Sequence, residues 1–273
     1  DQKTRLPSSM KAIIIAAGPS KRMRPLTRDI PKCLLRIKGK AIVEQLLESF
    51  RGEGISDIAI IRGFKKEKIN FPNVTYFENS SYWTNNILHS LLNARQKLEE
   101  AQRAGEDVII TYSDIWVEKE AVQKLAKIHG DFVALVDVAW EHHYQGRTDH
   151  PFGEAEIAIF DSSQHMQKIG KHLEEAKATG KPHGEFIGMW KSSPQGIKIL
   201  LERFDAINKT HQLTDPFQKA KEWQKAYITD MLQELIDAGM KIKCALIEGG
   251  WNEFDTVQDF LNAGGEVPEG VVL

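Results

Sequence analysis

Residues 11–32 read KAIIIAAGPSKRMRPLTRDIPK. An apolar run gives way to a small-residue turn and then to five cations, Lys21, Arg22, Arg24, Arg28 and Lys32. Ala16-Ala17-Gly18 places the smallest side chains where the chain must turn and where a ligand can approach the backbone. Backbone N–H groups of such a turn suit phosphate oxygens. Arginine clamps phosphate with two parallel hydrogen bonds, whereas lysine acts as a mobile point charge. The residue types therefore point to an anionic, phosphate-bearing ligand. Neither G-x-x-x-x-G-K-[ST] nor G-x-G-x-x-G occurs here, so this is not one of the familiar phosphate loops. A solvated basic loop after a core strand is the plain alternative.

Two further stretches supply carboxylates. TYSDIW, residues 111–116, ends an apolar run on Ser113-Asp114. That places an aspartate at the carboxyl edge of a sheet, where open α/β folds bind ligands. In WNEFDTVQDF, Asp255 precedes a helical pattern and as an N-cap would only satisfy backbone donors. Converging on a triphosphate, Asp114 and Asp255 would instead hold Mg²⁺, a hard ion that takes carboxylate, water and phosphate oxygens. The His142-His143 pair is a poor zinc site, because adjacent side chains rarely ligate one metal.

The stretch from Ala12 to Phe50 resembles the N-terminal signature of the sugar-nucleotide pyrophosphorylase and cytidylyltransferase superfamily. Ala16-Ala17-Gly18, Arg22, Pro25, Thr27, Pro31-Lys32 and Gly39 fall in register with it. TYSDIW and WNEFDT occupy the places of the two family metal aspartates, so the resemblance runs from residue 11 to about 263. Ser20 departs from it, standing where a second glycine is common. ENSSYWTNNILHSLLNAR, residues 78–95, looks more like the phosphocholine and phosphonate cytidylyltransferase branch than the hexose branch. AYITDML carries Ile228 where a choline-cage tryptophan would be expected, and residues 139–156 are similar to cytidylyltransferases of phosphonate biosynthesis.

The resemblance implies CMP transfer from CTP to a small phosphonate such as 2-aminoethylphosphonate, with pyrophosphate released. It implies Ala16, Ala17, Gly18, Ser20 and Ser113 around the nucleotide, and Asn85 or Asn86 reading the base edge. Arg22 would meet the leaving phosphates and Lys32 the α-phosphate. Asp114 and Asp255 would hold Mg²⁺, with Glu253 a further ligand. The acceptor half would contribute Trp140, Arg147, His150, Glu154, Glu185 and Asp230, with Arg147 and His150 on the phosphonate and Glu154 or Asp230 facing an amine. Phosphocholine or another small phosphate ester is the nearest alternative acceptor, then a sugar 1-phosphate. A non-catalytic nucleotide-binding regulatory domain is the alternative of another class, and it would not need the second metal aspartate.

The elements that must position these groups follow from periodicity. Continuous apolar runs at 12–17, 57–62, 107–112 and 131–138 read as buried parallel strands, with another strand at 74–77. Helical spacing at 41–50, 86–102 and 118–129 alternates with them, which argues for a doubly wound α/β sheet of Rossmann type, mixed but mostly parallel. Beyond residue 139 the rhythm changes. Short strands are expected at 155–160, 167–169, 186–190 and 241–247, with helices at 195–208, 227–239 and 256–263. We therefore expect one domain over 11–265, with a nucleotide half at 11–138 and an acceptor half at 139–265. Residues 1–10 read as a lead-in or linker and 266–273 as a tail.

Composition bounds the class. The 273 residues carry a formal net charge of -2 with both signs interspersed, which argues against nucleic acid as a partner. Cys33 and Cys244, far apart, form no disulfide framework or metal knuckle. No window approaches a membrane span and the N-terminus lacks a signal-peptide pattern, so a cytoplasmic location is expected. A homodimer or fusion to another biosynthetic domain is compatible with the sequence.

Overall fold

The computed structural model describes residues 9–150, 152–171 and 173–273, and the expected lead-in lies almost wholly outside them. Val74–Glu78, Asp57–Arg62, Lys11–Ala16 and Val108–Tyr112 pair in that order, all parallel. The apolar runs of the last three suit strands covered on both faces, whereas Val74–Glu78, at the sheet edge, is only partly buried. Alternation along Lys11–Ala16 sends Ile13 and Ile15 into one layer and Ala12 and Ile14 into the other. Helices Ile42–Gly52 and Lys119–Lys127 cover one face through Val43, Leu46, Phe50, Val122 and Leu125. Arg95–Ala104, Pro194–Thr210 and Ile228–Asp237 cover the other through Leu98, Ala101, Ile197, Leu200 and Leu232.

The ten-residue strand His183–Ser192 joins this parallel half to the rest. It runs antiparallel to Val108–Tyr112 on one side and to Ile157–Phe160 and Phe132–Asp137 on the other. Met166–Gly170 and Ile242–Ile247 complete a nine-stranded mixed sheet. Both halves of the chain therefore share one hydrogen-bonded sheet. The carboxyl ends of Lys11–Ala16 and Val108–Tyr112 lie side by side, which brings the small-residue turn next to Ser113-Asp114.

The long helix expected at 86–102 is broken. Ile87–Leu91 is followed by a 3₁₀ turn, Leu92–Ala94, and then by Arg95–Ala104. Asn93 is the local cause: its amide donates to the carbonyls of His89 and Ser90, competing with the helical ladder. The expected tail also begins inside structure, because Gly265–Glu266 pairs with Arg36–Ile37.

One glycine governs how the loops above the sheet meet. A Cβ on Gly63 would stand 2.7 Å from the Ala17 carbonyl oxygen, 2.8 Å from the Tyr82 ring and 2.9 Å from the Asn79 carbonyl oxygen. Only a bare backbone lets the strand end at Arg62 touch both loops. We predict that Gly63→Ala destabilises the fold by about 1–3 kcal/mol through overpacking. Urea denaturation measures this, and an unchanged midpoint would contradict it.

Candidate active site

Above the carboxyl ends of the parallel strands lies a cavity of about 840 Å³. Ala16, Ala17, Gly18, Ser20, Ser113 and Asp114 line the wall nearest those strands. Ser20 adopts a left-handed conformation, φ 48° and ψ 53°. That explains why glycine suits this position: the conformation is one that glycine reaches without a steric penalty. Here the turn is held by its carbonyl, which accepts from the Thr27 hydroxyl at 2.8 Å and from the Met23 N–H at 3.0 Å. Thr27 is fully buried, so it anchors the loop from below.

Lys32 begins a 3₁₀ turn after Pro31 and points its side chain into the same cavity. Its ammonium donates to Asp114 Oδ2 at 2.9 Å and to Asp255 Oδ1 at 3.2 Å. Three segments far apart in sequence thus meet at one nitrogen. Burial alone would lower the pKa of Lys32, but the charges of Asp114 and then Asp255 outweigh it and hold the lysine protonated. Burial also pushes Asp114 up, opposed by Lys32 and reinforced by the charge of Asp255. Asp255 lies well below the carboxylate range: burial would raise it, but Lys32 and a hydrogen bond from His150 win. Arg22, largely exposed, reaches within 3.9 Å of Asp255 Oδ2 from the solvent side.

Asp255 is positioned by its own short segment. Its N–H donates to Asp259 Oδ2 at 3.1 Å, as does that of Thr256, while Thr256 caps the helix Val257–Asn262. The strand Trp251–Glu253 pairs with Ile115–Val117, which follows Asp114 directly. Two aspartates 141 positions apart in sequence are therefore fixed by one small antiparallel ladder. On the far side of Asp255 stands His150, with Nε2 at 3.1 Å from Oδ2 and 4.0 Å from Glu253 Oε1. His150, Glu253 and Asp255 each offer a ligand atom within 4.8 Å of the others. Hard carboxylate oxygens dominate this donor set.

A phosphate-friendly loop, a lysine between two aspartates and a cleft at the strand ends is the arrangement of a nucleotidyl-transfer site. Comparison with known proteins agrees. Residues 12–180 match the MobA-like NTP transferase domain. The chain belongs to the MobA-like NTP transferase family. Within that family it lies in the cytidylyltransferase branch. It is similar to a CTP:phosphoglutamine cytidylyltransferase from Campylobacter jejuni, 29% identical over 92% of this chain and 97% of that one. A 2-aminoethylphosphonate cytidylyltransferase from Lancefieldella rimae is 33% identical, over 33% of this chain and 38% of that one. The same fold occurs in a CTP:phosphocholine cytidylyltransferase from Streptococcus pneumoniae, with a TM-score of 0.68 at 20% identity. That likeness covers 93% of this chain and 97% of the other.

Against this NTP transferase framework the expected base-reading asparagines divide. Asn86 caps the helix Ile87–Leu91, its side-chain oxygen accepting the Ile87 N–H at 2.8 Å. Asn85 exchanges two amide hydrogen bonds with Asn79, at 2.8 and 3.1 Å. Asn79 is buried and was not anticipated from sequence; its N–H, bonded to the Arg62 carbonyl, ties the loop to the sheet. Tyr82, in the 78–95 stretch that carried the branch resemblance, lines the cavity beside them. Half-exposed Trp83 lies outside the lining and packs on Phe64 and Tyr82, with the Lys21 ammonium 5.1 Å from its ring centre.

The acceptor half needs more correction. Trp140 does not face the cavity: it is 2% exposed and packs on Tyr144 and Phe152 in a separate apolar cluster. Arg147 is also spent internally. Its guanidinium grips Asp259 with two hydrogen bonds, at 2.8 and 2.9 Å, and Glu253 with a third at 2.8 Å. It leaves no fork for a phosphonate. His150 joins the aspartate centre instead of a separate acceptor pocket. Glu154 lines the cavity but pairs with Lys171. Asp230 lines it too, while its oxygens accept the N–H groups of Tyr227 and Lys219. Glu185 is buried in the wall, with Oε1 accepting from Tyr144. Glu156 and Tyr112 line the cavity and were missed; Tyr112 closes an apolar run and Glu156 stands just before one, and a polar residue flanking an apolar run was the available signal.

Arg147 is thus a brace between its own loop and the segment carrying Glu253, Asp255 and Asp259. We predict that Arg147→Met costs about 3–5 kcal/mol by leaving two buried carboxylates without their cation. Thermal and chemical denaturation measure this. A cost near zero, with only the acceptor KM raised, would return Arg147 to substrate binding.

Proposed function

We propose that this chain transfers CMP from CTP to a small phosphonate such as 2-aminoethylphosphonate and releases pyrophosphate. The observation that carries this reading is the Lys32 ammonium held between Asp114 and Asp255 on the wall of the cavity. Support for the cytidine nucleotide comes from the relatives, whose names specify CTP or cytidylyl transfer. A phosphorylated amino compound is the second reading, favoured by the full-length likeness to the phosphoglutamine enzyme. Phosphocholine is less well supported, because Ile228 is completely buried and offers no aromatic face to a trimethylammonium.

In this reading an oxygen of the acceptor attacks the α-phosphorus of CTP, a P–O bond forms, and the bond to the bridging oxygen of pyrophosphate breaks. The acceptor is already anionic near neutral pH and needs no strong base. The difficulty is bringing two anions together, so positioning and charge neutralisation carry the rate. The 16–20 turn cradles the triphosphate with its backbone. Arg22, exposed at the rim, suits the leaving phosphates, and Lys32 suits the α-phosphate. Asp114, Asp255 and Glu253 are oxygen donors of the kind Mg²⁺ takes, and two of them already converge on one cation, so the residues fit the ion. When bound, Mg²⁺ would neutralise phosphate charge and orient the reacting groups. Lys32 then exchanges carboxylate partners for phosphate oxygens.

A pyrophosphate-release screen of four nucleoside triphosphates against phosphonates, phosphocholine, phosphorylated amino acids and sugar phosphates tests the reading. CTP with a small amine-bearing phosphonate should give turnover. Turnover confined to sugar phosphates would refute it. Lys32→Ala and Asp114→Ala should each lower kcat by roughly 10²-fold or more, with far-UV circular dichroism unchanged. Near-normal rates in either variant would overturn the assigned roles.

A further inference from the structure

Glu156 stands immediately before the strand Ile157–Phe160, and its carbonyl accepts the Phe186 N–H at 2.8 Å. Its carboxylate lines the cavity. Among the described residues it has no ion-pair partner, and its one hydrogen bond is from the Tyr112 hydroxyl, stretched to 3.5 Å. The cation most able to help, Lys171, is paired with Glu154. Burial accordingly pushes Glu156 up to about 8, against the pull of Lys171 and with the charges of Asp230, Glu253 and Asp255 adding to it. A partly neutralised carboxyl with spare acceptor capacity is what an interior lacks reason to keep, unless something else completes it.

The surroundings are built to present that group. Tyr112 is seated by Gly188, whose φ is +93° and whose Cβ would fall 2.4 Å from the tyrosine ring. Phe186 meets the ring edge-on at 6.1 Å. A second carboxylate lies on the neighbouring strand. Glu185 is 3% exposed and lines the same cavity; Oε1 accepts from Tyr144 at 2.9 Å, but Oε2 has no partner among the described residues. On this wall Glu156 and Glu185 therefore keep carboxylate oxygens whose acceptor capacity is not filled.

We propose that Glu156, supported by Tyr112 and Glu185, forms a subsite for a primary ammonium group on the acceptor. It is the specificity-determining residue that separates amine-bearing acceptors from amine-free and quaternary ones. A primary ammonium brings three N–H donors and a charge, matching the unsatisfied oxygens. A quaternary ammonium brings no donor and needs aromatic faces. The inference deepens the cytidylyl-transfer reading and rests on it for the identity of the bound molecule as the acceptor.

Isothermal titration of the full chain with Mg²⁺ and an unreactive CTP analogue tests the subsite without turnover. The probes are 2-aminoethylphosphonate, ethylphosphonate and phosphocholine. The native chain should bind 2-aminoethylphosphonate at least tenfold more tightly than either of the others. Glu156→Gln should bring the amine-to-ethyl ratio to within a few-fold of one, and Tyr112→Phe should reduce it by a smaller factor. Should Glu156→Gln prove misfolded by circular dichroism, the ratio in Tyr112→Phe decides. A ratio unchanged by the variants, no preference in the native chain, or equal binding of phosphocholine overturns the subsite. Pyrophosphate release on the same samples separates the two ideas. Amine preference without CTP turnover upholds the subsite and sinks the proposed reaction, whereas turnover without amine preference sinks the subsite alone.

Discussion

The site depends on one electrostatic arrangement: two aspartates brought close enough to share the ammonium of Lys32. Two partly buried carboxylates repel each other and each loses hydration, so they persist together only with a cation between them. The fold supplies that cation from a third segment. The result is a site already compensated in the protein itself, with a positive group held on the cavity wall. Binding a triphosphate and a divalent ion would exchange one set of partners for another without ever exposing a bare charge pair.

Much of the second half of the molecule serves to keep Asp255 in place. The Asp259 carboxylate takes the N–H of Asp255 from below, and Arg147 fixes Asp259. The Glu253 carboxylate shares that arginine. Fully buried Asp137 accepts from the Trp251 indole at 2.7 Å and from the backbone of Ala139 and Gly249, which pins the start of the same segment. Charged side chains that a sequence reader assigns to substrate thus turn out to hold other charged side chains. Buried arginine is suited to this, because its rigid fork satisfies a carboxylate with two bonds at once.

The two halves of the cavity differ in how they are made. The side nearest the parallel strands is largely backbone: a small-residue turn, Ser20 in a left-handed conformation, and glycine at 63 where loops must touch. The far side is made of side chains from several short elements, Glu154, Glu156, Glu185 and Asp230 among them. A backbone cradle suits a ligand common to many relatives, whereas a side-chain wall can be altered residue by residue. That contrast fits a family in which related chains carry different acceptors in their names.

The sequence by itself determined the alternating α/β pattern and the strand limits of the first half, because buried parallel strands are continuous apolar runs with no ambiguity of face. It also marked Gly18, Lys32, Asp114 and Asp255, whose small or charged types in the turns above the sheet have few structural uses. The family was legible from the signature around those residues, and its cytidylyltransferase branch from residues 78–95. What only the tertiary structure decided were the partners. Sequence makes Arg147, His150 and Trp140 acceptor contacts, yet the first two bind carboxylates of the 253–259 segment and the third packs in the core. The break at Asn93 and the pairing of Asn79 with Asn85 were equally invisible. The physical reason is that residue type fixes what a side chain can bond, while the long-range contacts that bring a neighbour within 3 Å decide what it does bond.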